Sequence, residues 1–160
     1  MDIEIGLPGQ SRETIGRMLN RLLADEHVLY VKTRNYHWNV VGPQFHSLHE
    51  MFEEQYQKLA PAIDEIAERA RALGVTALGS MSQFLDEAEL QEDSGQPPDA
   101  RTMLLNLLHD HETVIRQLRS DVEACDEEHN DQGTADFLTG LMESHEEMAW
   151  MLRSQAGGDR

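Results

Sequence analysis

The strong chain breakers concentrate at a few places, and the long segments between them carry apolar residues three and four apart. The breaks are Gly42-Pro43, Gly74, the run EDSGQPPD over residues 92–99, and the polar stretch DEEHNDQG over residues 126–133. The first segment places Ile15, Met18, Leu19, Leu22 and Leu23 on one helical face. A later segment repeats the spacing with Leu104, Leu108, His111, Ile115, Leu118, Val122 and Cys125, and the last one with Leu138, Leu141, His145, Met148 and Leu152. No segment alternates polar and apolar residues as a half-buried strand would.

These signals predict four long helices. Ser11 is the candidate N-cap of the first, which runs to about Val41; the second starts after Pro43 and ends at Gly74. The third begins near Asp99, and Thr134 is the candidate cap of the fourth. A short apolar piece, Met81 to Leu90, sits in the connection between the second and third helices. The fold class expected is therefore all-α: a four-helix bundle over residues 11–155 with a short extra helix, flanked by short tails at residues 1–10 and 156–160. The connection is long enough to travel the length of the bundle, which favours a crossover topology over simple up-down-up-down.

Charge narrows the function classes. Thirteen basic residues against 30 acidic ones leave a net charge of −17, which argues against a nucleic-acid groove and for cation attraction. One cysteine, Cys125, excludes an intrachain disulfide and any cysteine-rich metal site. No apolar run approaches a membrane span and no signal-peptide core is present, so a cytoplasmic protein is expected.

The chemistry-bearing pattern is a set of five metal-ligand types: His37, His49, Glu53, Asp64 and Glu68. The last four share one stripe of the second helix, within an arc of roughly 100°. Glu53 and Asp64 nevertheless lie about 16 Å apart along the axis at ~1.5 Å per residue, while metal–ligand bonds are about 2 Å long. One ion cannot bond both halves within a single chain. A dinuclear site inside the bundle would use Glu-x-x-His motifs, and none occurs: Ala24, Arg34, Pro43, His46, Asn106, Leu108, Asp126 and Met142 stand three residues before the eight histidines. Packing the second helix antiparallel on its own copy about a two-fold axis brings Asp64 and Glu68 of one chain to His49 and Glu53 of the other. The pattern leaves open which chain supplies His37. His111 and His145 read as satisfied core histidines, and His27, His109 and His129 as surface residues.

The segment NYHWNVVGPQFHSLHEMFEEQYQKLAPAIDEIAERARALG (Asn35–Gly74) strongly resembles the Dps proteins, the ferritin-like mini-ferritins of starved bacterial cells, and DQGTADFLTGLMESHEEMAWMLRS resembles their fourth helix. The resemblance implies a ferritin-like bundle assembled as a homododecameric shell, with a ferroxidase centre at each two-fold interface. By motif position His37, His49, Asp64 and Glu68 match the family's iron ligands, and Glu53 stands where the family usually has aspartate. Family members bind Fe(II), oxidise it, commonly with hydrogen peroxide, and store Fe(III) mineral, which protects DNA; oxygen is the other candidate oxidant.

Trp38 resembles a family tryptophan near the centre, with interception of stray oxidising equivalents and interface packing as its two readings. His46, one turn before the stripe, could add a ligand and favour zinc, against a surface or supporting role. Asp126, Glu127, Asp131 and Asp136 resemble acids bordering the family's three-fold pores, and Glu50 and Glu54 are candidates for mineral nucleation. The alternative function is a nucleoid-compacting DNA-binding protein, as some Dps proteins bind DNA through lysine-rich tails. Here the terminal segments MDIEIGLPGQSRE (residues 1–13) and RSQAGGDR (residues 153–160) hold no lysine and three arginines, so direct DNA binding is not expected.

Overall fold

The computed structural model describes residues 3–157. Four long helices form the bundle: α1 (Gly9–Asn39), α2 (Phe45–Ala72), α4 (Ala100–Glu123) and α5 (Gln132–Gln155), with the short α3 (Met81–Glu87) between α2 and α4. No strand occurs among the described residues. A five-residue π-helical turn, Ala124–Glu128, extends α4 toward α5.

Local chemistry explains the boundaries. Helix α1 starts two residues before the expected Ser11 cap, with Pro8 at the N-cap position and its carbonyl accepting from the Arg12 amide at 3.0 Å. Proline supplies a preset φ and no cap side chain, and Ser11 instead lies within hydrogen-bond range of His129 Nδ1, at 3.2 Å. The helix stops at Asn39, before the predicted Val41, because Val40 is already extended. Gly74 ends α2 at a φ of 87°, the left-handed conformation that glycine adopts without strain. Ser80 and Gln83 form a reciprocal capping box on α3. Helix α4 begins beside Asp99, as predicted, with Asp99 as its cap, whereas α5 is capped by Asp131 and not by Thr134, whose amide donates to the Asp131 carboxylate at 3.0 Å.

The chain direction follows from side-chain pairs. Arg21–Asp121, Lys32–Asp110 and Tyr36–Asn106 descend α4 as they ascend α1, so these helices are antiparallel. Helix α2 folds back on α1, and therefore α2 and α4 run the same way. Residues 73–99 must traverse the bundle, as the crossover reading requires. Asp25 fastens this connection by accepting from the amides of Glu89 (2.7 Å) and Leu90 (2.9 Å), and the Tyr36 hydroxyl donates to Asp93 at 2.6 Å. Burial pushes the Asp25 carboxyl above its ordinary range against those two amide bonds.

Apolar residues from all four long helices, among them Leu19, Leu22, Leu29, Phe52, Leu59, Ile66, Leu107, Leu118, Leu138 and Leu152, fill the core. Each such side chain contributes about 1.5–3 kcal/mol by leaving water. A polar layer interrupts this core. His111 and His145 are both buried, with Nδ1 atoms 2.9 Å apart, and His145 Nε2 lies 2.7 Å from Glu26 Oε1. With both rings neutral, His145 Nε2–H donates to Glu26 and its Nδ1 accepts from His111. The histidines are thus core residues as expected, but not fully satisfied: His111 Nε2 and Glu26 Oε2 have no partner. Burial, reinforced by His145, holds the His111 imidazole well below its ordinary pKa.

Candidate metal centre

Three of the five candidate ligands meet where α1 ends against the second turn of α2. His37 sits in the last turn of α1, and His49 and Glu53 are one turn apart on α2. One ligand atom from each lies within 4.8 Å of the other two. His37 is buried; His49 and Glu53 are half-buried. The rings of His37 and His49 stack with centroids 3.8 Å apart and planes inclined by 18°.

Reciprocal hydrogen bonds set the useful tautomer. His37 Nδ1 lies 2.8 Å from the His49 carbonyl, and His49 Nδ1 lies 2.8 Å from the His37 carbonyl. A carbonyl only accepts, so both Nδ1 atoms carry hydrogen and each neutral ring keeps its lone pair on Nε2. The His37 carbonyl is among the last four of α1, which have no partner within the helix. One contact therefore satisfies a terminal carbonyl of α1 and leaves Nε2 as a candidate ligand nitrogen, the role that outer contacts play for metal-bound histidines. Two imidazoles and a carboxylate suit iron or zinc, and no soft ligand competes at the site.

The remaining candidates lie elsewhere. Asp64 and Glu68 are exposed on the same α2 and stand outside the three-residue group. Helix α2 continues between the two half-sets with Pro61 in its interior, so their separation remains about 16 Å at ~1.5 Å per residue. His37, which the sequence left unassigned, belongs with His49 and Glu53 of its own chain. His46 faces solvent within 3.4 Å of Glu50 and does not join the group. Trp38 is exposed, its ring 4.8 Å from the Arg34 guanidinium carbon. Asp131, read from sequence as a pore acid, is buried, accepting from Arg69 Nη2 at 3.0 Å while it caps α5. Asp126, Glu127 and Asp136 are exposed.

Sequence reading missed the residues around Glu53. The Tyr56 hydroxyl donates to Glu53 Oε1 at 3.2 Å, and Gln57 Nε2 donates to the same oxygen at 3.3 Å. Partial desolvation and then the Glu53 carboxylate raise the Tyr56 hydroxyl above its ordinary pKa, opposed by Arg34. The available signal was the placement of Tyr56 and Gln57 three and four residues after Glu53 on α2, a spacing that puts side chains on one helix face.

Comparison with known proteins identifies the family. A family model for the ferritin-like domain matches residues 17–160. The chain is 39% identical over 137 residues to DNA protection during starvation protein 2 of Bacillus anthracis, covering 86% of this chain and 92% of that one. The chain belongs to the Dps family of ferritin-like proteins. The crystal structure of the Dps protein of Vibrio cholerae, described as a member of a superfamily of ferritin-like diiron-carboxylate proteins, superposes with a TM-score of 0.90 at 33% identity, over 97% of both chains. A low temperature-induced protein of Nostoc sp. is 56% identical over 152 residues, 95% of this chain and 85% of that one. The Dps likeness thus extends over nearly the whole sequence, well beyond the motif that first suggested it.

Proposed function

We propose that this Dps-family chain is an iron-storage and detoxification protein whose ferroxidase centres are completed between subunits. The observation that carries the reading is the split ligand set. His37, His49 and Glu53 form a preformed half-site with two free Nε2 lone pairs, and Asp64 and Glu68 are held apart on the same rigid helix. A two-fold partner laying its α2 antiparallel would add its own Asp64 and Glu68 to each half-site, giving four carboxylate or imidazole side chains beyond His37. A partner contact that extended from α2 over α1 and α3 would also cover the exposed Val31, Met81 and Leu85.

Fe(II) is the substrate, with zinc as a competing ion. Two Fe(II) each surrender one electron as the O–O bond of hydrogen peroxide breaks, and two protons complete two water molecules. Paired sites about 3.5–4 Å apart permit this without releasing a one-electron oxidant. Fe(III) is then stored inside a hollow homododecamer, and removal of both Fe(II) and peroxide protects DNA. Oxygen is the alternative oxidant. Among the described residues no helix is long and apolar enough to cross a membrane, in keeping with cytoplasmic residence.

Anaerobic Fe(II) titration with peroxide-driven oxidation tests the proposal. Wild-type protein should bind Fe(II) saturably, and Asp64→Ala should assemble normally yet oxidise iron far more slowly. Absence of saturable binding would leave a bundle whose acids do nothing; unchanged Asp64→Ala kinetics would remove that residue from the centre.

A further inference from the structure

Glutamate at position 53 poses a problem that the neighbouring residues answer. A glutamate has one more rotatable bond than an aspartate, so its carboxylate sweeps a wider arc, and holding it lowers the entropy cost of coordination. Here both hydrogen bonds to the carboxylate fall on Oε1, from Tyr56 at 3.2 Å and Gln57 at 3.3 Å. An anchored Oε1 leaves Oε2 as the oxygen with free lone pairs.

The Tyr56 hydroxyl can aim this carboxylate because its ring is itself fixed. The ring meets His37 edge-on at 5.3 Å with planes 75° apart, and Tyr30 at 6.0 Å with planes 87° apart. Arg34 stands 5.4 Å from the Tyr56 ring centre and 5.5 Å from that of Tyr30, while its Nη1 donates to the Tyr30 hydroxyl at 3.1 Å. Trp38 covers the outer side of the same guanidinium at 4.8 Å. Aromatic edges and cation–π contacts each have preferred geometries. Stacked in this order, Trp38, Arg34 and Tyr30 of α1 and Tyr56 of α2 form a wall that ends at Glu53.

We propose that Tyr56 is a positioning residue that selects the coordinating orientation of Glu53, with Gln57 as the secondary anchor and Arg34 holding the Tyr56 ring. This rests on the metal-centre reading above. Trp38 thereby acquires a structural task, the outer face of the wall, whatever redox part it plays. The anchoring is a device for glutamate: an aspartate at this position, shorter by one methylene, would not present its oxygen to the same donors.

Cobalt(II) titration of the full-length assembled protein under anaerobic conditions tests this, read by affinity and by the visible ligand-field band. Tyr56→Phe removes one oxygen and leaves the ring stack in place. It should weaken Co(II) binding about tenfold, the scale of lost outer contacts to ligands, and alter the intensity of the band. Gln57→Ala, at an exposed position that cannot disturb the fold, should weaken binding by less. In the Glu53→Asp background, Tyr56→Phe should cost nothing further, because the interaction it removes is already gone.

Unchanged affinity and spectrum in both Tyr56→Phe and Gln57→Ala would overturn the proposal. So would an equal Tyr56→Phe effect with and without Glu53→Asp, which would mark a general structural role. Absence of saturable Co(II) binding in the wild type would instead count against the metal centre itself, so the two failures are distinguishable.

Discussion

Subunit mixing offers the most direct test of the split centre, and its magnitude follows from the geometry. Along its axis the α2 helix holds Glu53 about 16 Å and His49 about 22 Å from Asp64 at ~1.5 Å rise per residue. Each proposed centre therefore takes one half-set from each chain. In His49→Ala protein every centre lacks an imidazole, and in Asp64→Ala protein every centre lacks a carboxylate. When the two are refolded together in equal amounts, about half of the two-fold pairs are mixed. Each mixed pair carries one centre with both defects and one with none, so about one quarter of all centres are intact. Varying the mixing fraction p should trace p(1−p), a parabola that vanishes at both ends.

The assay is the anaerobic Co(II) capacity and the peroxide-driven Fe(II) oxidation rate of doubly tagged, purified mixed assemblies. A centre built wholly within one chain gives no recovery at any ratio, because every chain carries a defect. Flat activity across ratios in verified mixed assemblies refutes the shared centre. Recovery well above one quarter would mean that one of the two residues is dispensable.

Three further outcomes are expected. Gly16→Ala would place a Cβ 2.3 Å from Val75 Cγ2 and 2.6 Å from its Cβ, so an overpacking cost of about 1–3 kcal/mol should outweigh the ~1 kcal/mol gain in helix propensity. Urea denaturation should show a lower midpoint, and the sign should reverse in a Val75→Gly background. The buried His111 has its folded pKa lowered by burial, so its contribution is intact above the unfolded value near 6.5 and is lost as pH falls below it, when only the unfolded chain takes up the proton. His111→Leu should reduce the slope of stability against pH below that point by about one proton, ~1.4 kcal/mol per unit; an unchanged slope would place the titration elsewhere. Finally, plasmid DNA should run unretarded with this protein at physiological salt without added Mg²⁺, given the charge of −17 on each chain; a clear gel shift would contradict that reading.

The sequence by itself determined the helical architecture and the identity of the ligand types. Helical periodicity and chain breakers are local signals, and the four long helices and the short α3 appear where these signals point. The errors are also local. Pro8 and Asp131 took the cap positions read as Ser11 and Thr134, because a cap is chosen by the backbone conformation around it and not by residue preference alone. The Dps likeness was equally legible, since it resides in residue order from Asn35 to Gly74.

Only the tertiary structure decided which side chains meet. It grouped His37 with His49 and Glu53 of its own chain, through reciprocal bonds between imidazoles and carbonyls twelve residues apart across the α1–α2 turn. It turned Asp131 from a free acid into a buried cap paired with Arg69, and Glu26 into the end of a core hydrogen-bond chain that begins at His111. It also brought the Tyr56 hydroxyl to within hydrogen-bond distance of Glu53. Periodicity tells which face of a helix a residue occupies, whereas distances between faces depend on how helices pack against one another. That packing is cooperative and is not encoded in any single segment.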